Sequence, residues 1–106
     1  MRLKPDHANA HYVLGVALAG LGRPEEAITQ YKQTLALQPN DAQAWQQLAA
    51  AFAATGRVAE ALAAAEQAHT RAQAAGNNAL VQQSEARIEE YRAATTAPTS
   101  SPDAER

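Results

Sequence analysis

The sequence predicts an all-α fold, an α-solenoid of antiparallel helix pairs, on two observations. Alanine occupies 28 of the 106 positions and only five residues are aromatic, a composition that favours packed helices over sheets. When the chain is compared with itself at a shift of 34, residues 5–38 and 39–72 share eleven identities. Pro, Gly, Arg, Glu and Leu are among the matches, so alanine richness alone does not produce them. A period of this length is typical of helical repeat architectures.

The first repeat contains signals for two helices. Because the residue before a proline avoids the helical region, Pro5 should end any preceding helix, and Asp6 is predicted to cap the next one. That helix should extend to about Gly20. Gly22 follows as a stop because glycine easily adopts positive φ, and Pro24 suits the first turn of a second helix.

The second repeat has the same order of signals but a different end. Asn40 or Asp41 is predicted to cap a helix that runs to Thr55, and Gly56 then separates it from a helix that begins near Val58. No proline interrupts this last helix. We therefore expect it to continue to Ala75.

A fifth helix is predicted after the repeats. Gly76-Asn77-Asn78 is a stop-and-cap signal. The residues beyond it form a helix with one apolar face and one polar face. Such a helix is how a solenoid ends in water. The predicted organisation has five parts: residues 1–7 as a remnant of a preceding repeat or a lead-in, 8–41 as the first repeat, 42–75 as the second repeat, 76–94 as a capping helix and 95–106 as a disordered tail.

Composition and motifs exclude several classes of function. The chain has no cysteine, so a thiol nucleophile and cysteine-ligated metals are excluded, and a net charge of −2 gives no reason to expect a nucleic-acid partner. No apolar run is long enough to span a membrane. His7 and His11 lie four residues apart without the further ligands that a metal needs, and no Ser-His-acid arrangement is evident. We expect no catalytic residue, metal or cofactor and, by default, a cytoplasmic location.

The repeated residues resemble the tetratricopeptide repeat family, whose pattern is W-x2-L-G-x2-Y, then A-x3-F, then P, over 34 residues. The first repeat supplies His11, Leu14, Gly15, Leu18, Ala27, Tyr31 and Pro39; the second supplies Trp45, Leu48, Ala49, Phe52 and Ala61. Departures are His11 in the tryptophan slot, Ala65 in an aromatic slot and Gln73 in the proline slot. The resemblance covers residues 4–94 and implies that Trp45 and Phe52 are core residues.

The resemblance also implies a protein-interaction scaffold or adaptor whose first helices line a concave groove for a peptide or partner helix. Mapped onto this chain, the groove residues are Asn9, Tyr12, Val16, Gln43, Gln46, Ala50, Ser84 and Arg87. Residues 8–21 and 42–55 contain no charged side chain. Relatives that hold chaperone carboxylates use Lys, Asn and Arg in the groove, whereas Tyr12, Val16 and Gln46 occupy comparable places here and supply no cation. We therefore expect a protein or peptide partner that is uncharged, apolar or helical.

Two other interpretations stay open. The chain could be a non-catalytic C-terminal piece of a larger repeat-bearing enzyme, for example a glycosyltransferase-like one, or a self-associating assembly module. Solenoids usually need about three repeats. We therefore expect an uncovered N-terminal face, which could form a homo-oligomer. An RNA-binding helical array is disfavoured because the predicted first helices lack basic residues.

Overall fold

The computed structural model describes residues 4–96, with side chains from 8 to 95, and in this part of the chain all regular structure is helical. Five helices follow one another: α1 (Lys4–Gly20), α2 (Pro24–Leu37), α3 (Ala42–Ala54), α4 (Val58–Ala75) and α5 (Asn78–Thr96). Each packs against the next along the chain, and α3 also touches both α1 and α5. This is the packing order of an all-α solenoid.

The two outer boundaries differ from the sequence-based expectation. The first helix begins at Lys4, so residues 4–7 belong to it and Asp6 lies inside its first two turns rather than at its cap. Proline is tolerated in the first turn of a helix, where its missing amide has no intrahelical partner. At the other end α5 extends to Thr96, two residues beyond the predicted end. The rest of the predicted tail, residues 97–106, lies outside the described residues.

The turns between paired helices repeat in detail. Gly22 and Gly56 have φ of 79° and 83°, a region open to glycine at little cost. In both turns the next residue, Arg23 or Arg57, donates its amide hydrogen to a carbonyl 2.9 Å away, five residues earlier in the chain. The predicted cap of α3 is confirmed, because Asp41 accepts a hydrogen bond from the backbone N–H of Ala44 at 3.1 Å.

Close helix packing in the first pair depends on a glycine. The Tyr31 ring of α2 lies against Gly15 of α1, and a Cβ on that glycine would stand 2.5 Å from Tyr31 Cε1. In the second pair the equivalent positions are Ala49 and Ala65, both 1% exposed. The first pair therefore combines the smallest residue with a large ring, and the second combines two small residues. This exchange explains why Ala65 is tolerated in the aromatic slot of the family pattern.

One core cluster joins the helices. Phe52 is buried in it, as predicted, together with aliphatic residues of α2 and α3 and the alanines of α4. Trp45 is only half-buried at its edge, where its Nε1–H donates to the Pro39 carbonyl at 2.9 Å. The Arg71 guanidinium stacks 5.5 Å from the Trp45 ring centroid and donates to the same carbonyl at 2.8 Å. Trp45 and Arg71 therefore stabilise the turn between the repeats through the Pro39 carbonyl.

Candidate functional site

Three helices contribute to the surface on which the predicted site residues lie. Because α3 touches both α1 and α5, the first helices of the two pairs and the last helix stand side by side. We call the surface formed by their outward residues the α1–α3–α5 surface. It is defined by Asn9, Tyr12, Val16, Gln43, Gln47, Ala50, Gln83 and Arg87.

A tyrosine pair lies at the junction of α1 with its neighbours. Tyr12 is half-buried, and its ring centroid is 6.0 Å from that of Tyr31 with the planes tilted by 47°. Burial raises the pKa of Tyr12, while hydrogen bonds from the Gln47 and Gln43 side chains oppose that shift and Asp41 adds to it. The side-chain amides of Gln43 and Gln47 therefore lie near the Tyr12 hydroxyl at the boundary between α1 and α3.

The Tyr31 hydroxyl lies beneath this surface. The side chain is fully buried, and its Oη is the only buried side-chain oxygen or nitrogen of the described residues without a hydrogen-bond partner. Burial, and secondarily the nearby Tyr12, raise the pKa of Tyr31 to about 12. The neutral phenol is thus strongly favoured in the folded chain.

Six of the eight predicted groove residues have accessible side chains. Asn9, Val16, Gln43 and Arg87 are exposed, and Tyr12 and Ala50 are half-buried. Their role as partner contacts stays a prediction. Gln46 and Ser84 differ, because Gln46 is 9% exposed and Ser84 is 0% exposed. These two residues belong to the interior of the described structure.

A polar network explains why Gln46 and Ser84 are buried. Ser84 Oγ lies 3.0 Å from Gln46 Oε1 and 2.8 Å from the Leu80 carbonyl, and its single proton can go to either acceptor. The Gln46 Nε2 group donates to Gln83 Oε1 at 3.0 Å. Buried polar groups are costly unless they are paired. These hydrogen bonds therefore fix how α5 sits on α3, and they leave the exposed Gln83 as the outer end of the network.

Sequence reasoning did not identify Gln83 as a site residue, and it considered Gln47 only as part of the Gln43, Gln46 and Gln47 cluster, which could bind a peptide backbone or be a solvated face. Gln47 interacts with the Tyr12 hydroxyl, and Gln83 bonds to Gln46. Gln47 is half-buried and Gln83 exposed. Gln83 could not be found in the same way, because its position on the surface depends on the register of α5.

The charged side chains that the structure describes lie outside α1 and α3. Ion pairs join Arg57, which precedes α4, to Glu25 of α2 at 3.1 Å and His69 of α4 to Glu85 of α5 at 3.0 Å. An open cleft of about 710 Å³ between α4 and α5 is lined by Glu66, Glu85, Glu89, His69 and Arg92 among others. Among the described side chains no group of three or more acidic or histidine residues is arranged to hold a metal. His11 makes a 2.7 Å hydrogen bond between its Nδ1 and Gln30 Oε1.

The helix order and the shared surface define a class, the helical repeat proteins built from antiparallel pairs. A family model described as tetratricopeptide repeat matches residues 1–33 and 12–79. The chain therefore belongs to the tetratricopeptide repeat family, whose repeats generally mediate protein–protein interaction. None of the curated proteins compared with the chain is similar enough to count as a match. No helix within residues 4–96 has the length and apolar character that a membrane crossing requires.

Proposed function

We propose that the chain is a protein-interaction scaffold or adaptor that binds an uncharged peptide or a partner helix across the α1–α3–α5 surface. The observation that carries this proposal is the absence of charged residues from 8–21 and 42–55, combined with amide side chains around Tyr12. Surfaces that contact only water usually carry charged residues. Long uncharged runs on two adjacent helices are therefore unusual for a surface without a partner.

The chemistry of the surface matches a peptide backbone. Each amide side chain supplies two donors and one acceptor, and Gln43, Gln47 and Asn9 are spread over α1 and α3. Val16 and Ala50 add apolar contact area between them. A bound carboxylate would find no cation on α1 or α3 within the uncharged runs. The proposed partner is therefore a protein segment that is uncharged or apolar, and recognition rests on shape and amide hydrogen bonds.

The same proposal assigns binding without catalysis to the chain, and a protein rather than a nucleic acid as its partner. Phosphate contacts from basic residues supply much of nucleic-acid affinity, and the uncharged runs of α1 and α3 contain none. A cytoplasmic location, a homo-oligomer and a role as the end piece of a larger enzyme stay predictions.

The test is selection of a random peptide library displayed on phage against the purified chain. We expect the enriched peptides to be rich in apolar and amide residues and to keep their binding when salt is raised. Val16→Asp and Gln43→Asp should abolish their binding. Gln33→Asp, an exposed position on α2, is the matched control and should leave it unchanged. Enrichment of charged peptides that are released by salt would contradict the proposal.

A further inference from the structure

Large exposed apolar side chains are concentrated on α1. Of the five among the described residues, Val13, Leu14 and Val16 lie on this helix and Leu21 follows it directly; the fifth is Leu37. Val16 belongs to the α1–α3–α5 surface. A different set, Ala10, Leu14, Ala17 and Leu21, recurs at helical spacing along one line, and we call it the outer stripe.

The second repeat shows what normally covers such a stripe. Its equivalents at the 34-residue shift include Ala44, Leu48 and Ala51, which are 0, 4 and 4% exposed, whereas Leu14 is 46% exposed. Both α1 and α3 have a paired second helix, and both touch a helix that follows that pair. The difference is the helix that comes before: α3 packs on α2, and its stripe shares a core cluster with Ile28 and Leu35 of that helix.

The arginine at the start of the second helix of each pair also differs between the two repeats. Arg57 Nη2 lies 3.1 and 3.3 Å from the two carboxylate oxygens of Glu25, in the first turn of α2, and Arg57 also pairs with Glu60 three residues on. Arg23 is its equivalent in the first repeat. Arg23 contacts Glu26 at 3.9 Å, as Arg57 contacts Glu60 three residues further along the chain, and the Arg23 side chain is 60% exposed. No helix in the described chain places a first-turn carboxylate beside Arg23 in the way that α2 places Glu25 beside Arg57.

We propose that the outer stripe and Arg23 together bind one amphipathic helix of the α2 kind. This partner helix has a small and aliphatic face that covers Leu14 and Ala17, and an acidic residue in its first turn that pairs with Arg23. The proposal concerns a face other than the α1–α3–α5 surface, so it can fail or succeed independently of the proposed peptide binding.

A second copy of the chain offers a poorer fit to this face. The exposed residues of α5 between 82 and 94 are Gln, Glu, Arg and Ala, and neither α2 nor α4 leaves a large apolar side chain exposed except Leu37 at the end of α2. Pairing α1 with α1 of another copy would cover the stripes. Residues 8–21 of the second copy would bring no carboxylate to Arg23, because they are uncharged.

Sedimentation velocity on the purified chain is the first part of the test. We expect a monomer, because the partner helix is not available from another copy. A dimer that Leu14→Glu dissociates, and that the control Leu37→Glu leaves intact, would overturn the proposal, since the outer stripe would then be a self-association surface.

The second part supplies the partner helix in cis. A tandem chain carries an added copy of residues 5–38 directly before Pro5, which preserves the 34-residue register and places a second α2 next to the outer stripe. Because the chain has no cysteine, Ala17→Cys in the original copy introduces a single thiol. Its rate of reaction with a thiol reagent in solution reports how far position 17 is covered. Thr29→Cys is the control, because its equivalent in the second repeat, Ala63, is exposed.

We expect the thiol introduced by Ala17→Cys to react about ten-fold more slowly in the tandem chain than in the 106-residue chain, because reaction then requires local opening. The rate for Thr29→Cys should be the same in both chains. Arg23→Glu should speed the reaction in the tandem chain, and adding Glu25→Arg in the added copy should slow it again. Equal rates for Ala17→Cys in the two chains would overturn the proposal.

Discussion

Gly15 is the position at which the packing of the first helix pair can be tested most directly. Gly15→Ala would place a Cβ 2.5 Å from Cε1 and 2.8 Å from Cδ1 of Tyr31. Tyr31 is fully buried, so its ring cannot swing into solvent without losing the core. Forcing one extra methyl group into a packed interior costs about 1–3 kcal/mol.

An opposing effect reduces this cost. Alanine is better than glycine by about 1 kcal/mol in a helix interior, so the expected net loss of unfolding free energy is about 0–2 kcal/mol. Gly20→Ala is the matched control at the end of the same helix, because nothing lies within 4 Å of the Cβ it adds. It should be neutral or slightly stabilising.

The assay is urea unfolding followed by circular dichroism at 222 nm. A second background, Tyr31→Leu, removes the ring atoms Cε1 and Cζ that stand 2.5 and 3.1 Å from the added Cβ. Gly15→Ala should cost less in that background, and the difference measures the coupling between the two positions. If Gly15→Ala stabilises the chain by about 1 kcal/mol, as helix propensity alone predicts, or if its effect is unchanged by Tyr31→Leu, the packing argument is refuted.

Four further predictions concern polar groups. Tyr31→Phe should stabilise the chain by about 1 kcal/mol in urea unfolding, because it removes a buried hydroxyl without a partner. Since the pKa of Tyr31 is raised to about 12 from 10, the unfolded chain releases this proton first, so stability should fall as pH rises from 10 to 12, and thermal melts of Tyr31→Phe should show a smaller fall. Ser84→Ala should cost about 1–2 kcal/mol by leaving Gln46 short of a donor, whereas equal stability would argue against the buried network. Asp41→Ala should cost about 1 kcal/mol through loss of the cap to Ala44, and Asp41→Asn, which keeps an acceptor, should retain most of the stability.

Helix boundaries inside the chain could be predicted because their signals are local. The cap at Asp41 and the positive φ at Gly22 and Gly56 depend on the residue itself and on the amides next to it. The long α4, which ends at Ala75, was also predicted correctly from the lack of a proline. The start of α1 was not, because a proline in the first turn is compatible with a helix that begins just before it.

The candidate site was predicted less completely. The positions of Asn9, Val16 and Gln43 on exposed parts of α1 and α3 follow from the repeat register. Gln46 and Ser84 were expected on the same surface, but they are buried against each other. Which face of α5 meets α3 depends on how the two helices pack, and the Gly76-Asn77-Asn78 connection differs from the Pro-Asn-Asp one between the repeats. No local signal in the sequence encodes that packing.

The sequence by itself determined the 34-residue period, the helix pairs and the uncharged runs, since each of these is a property of residue order and local conformational preference. The tertiary structure decided which side chains are covered. Leu14 and Leu48 are the same residue at equivalent positions of the two repeats, yet one is 46% exposed and the other 4%. Burial is a property of the neighbours that a side chain meets, and only the second of these leucines lies on a helix that packs against α2 from the preceding pair.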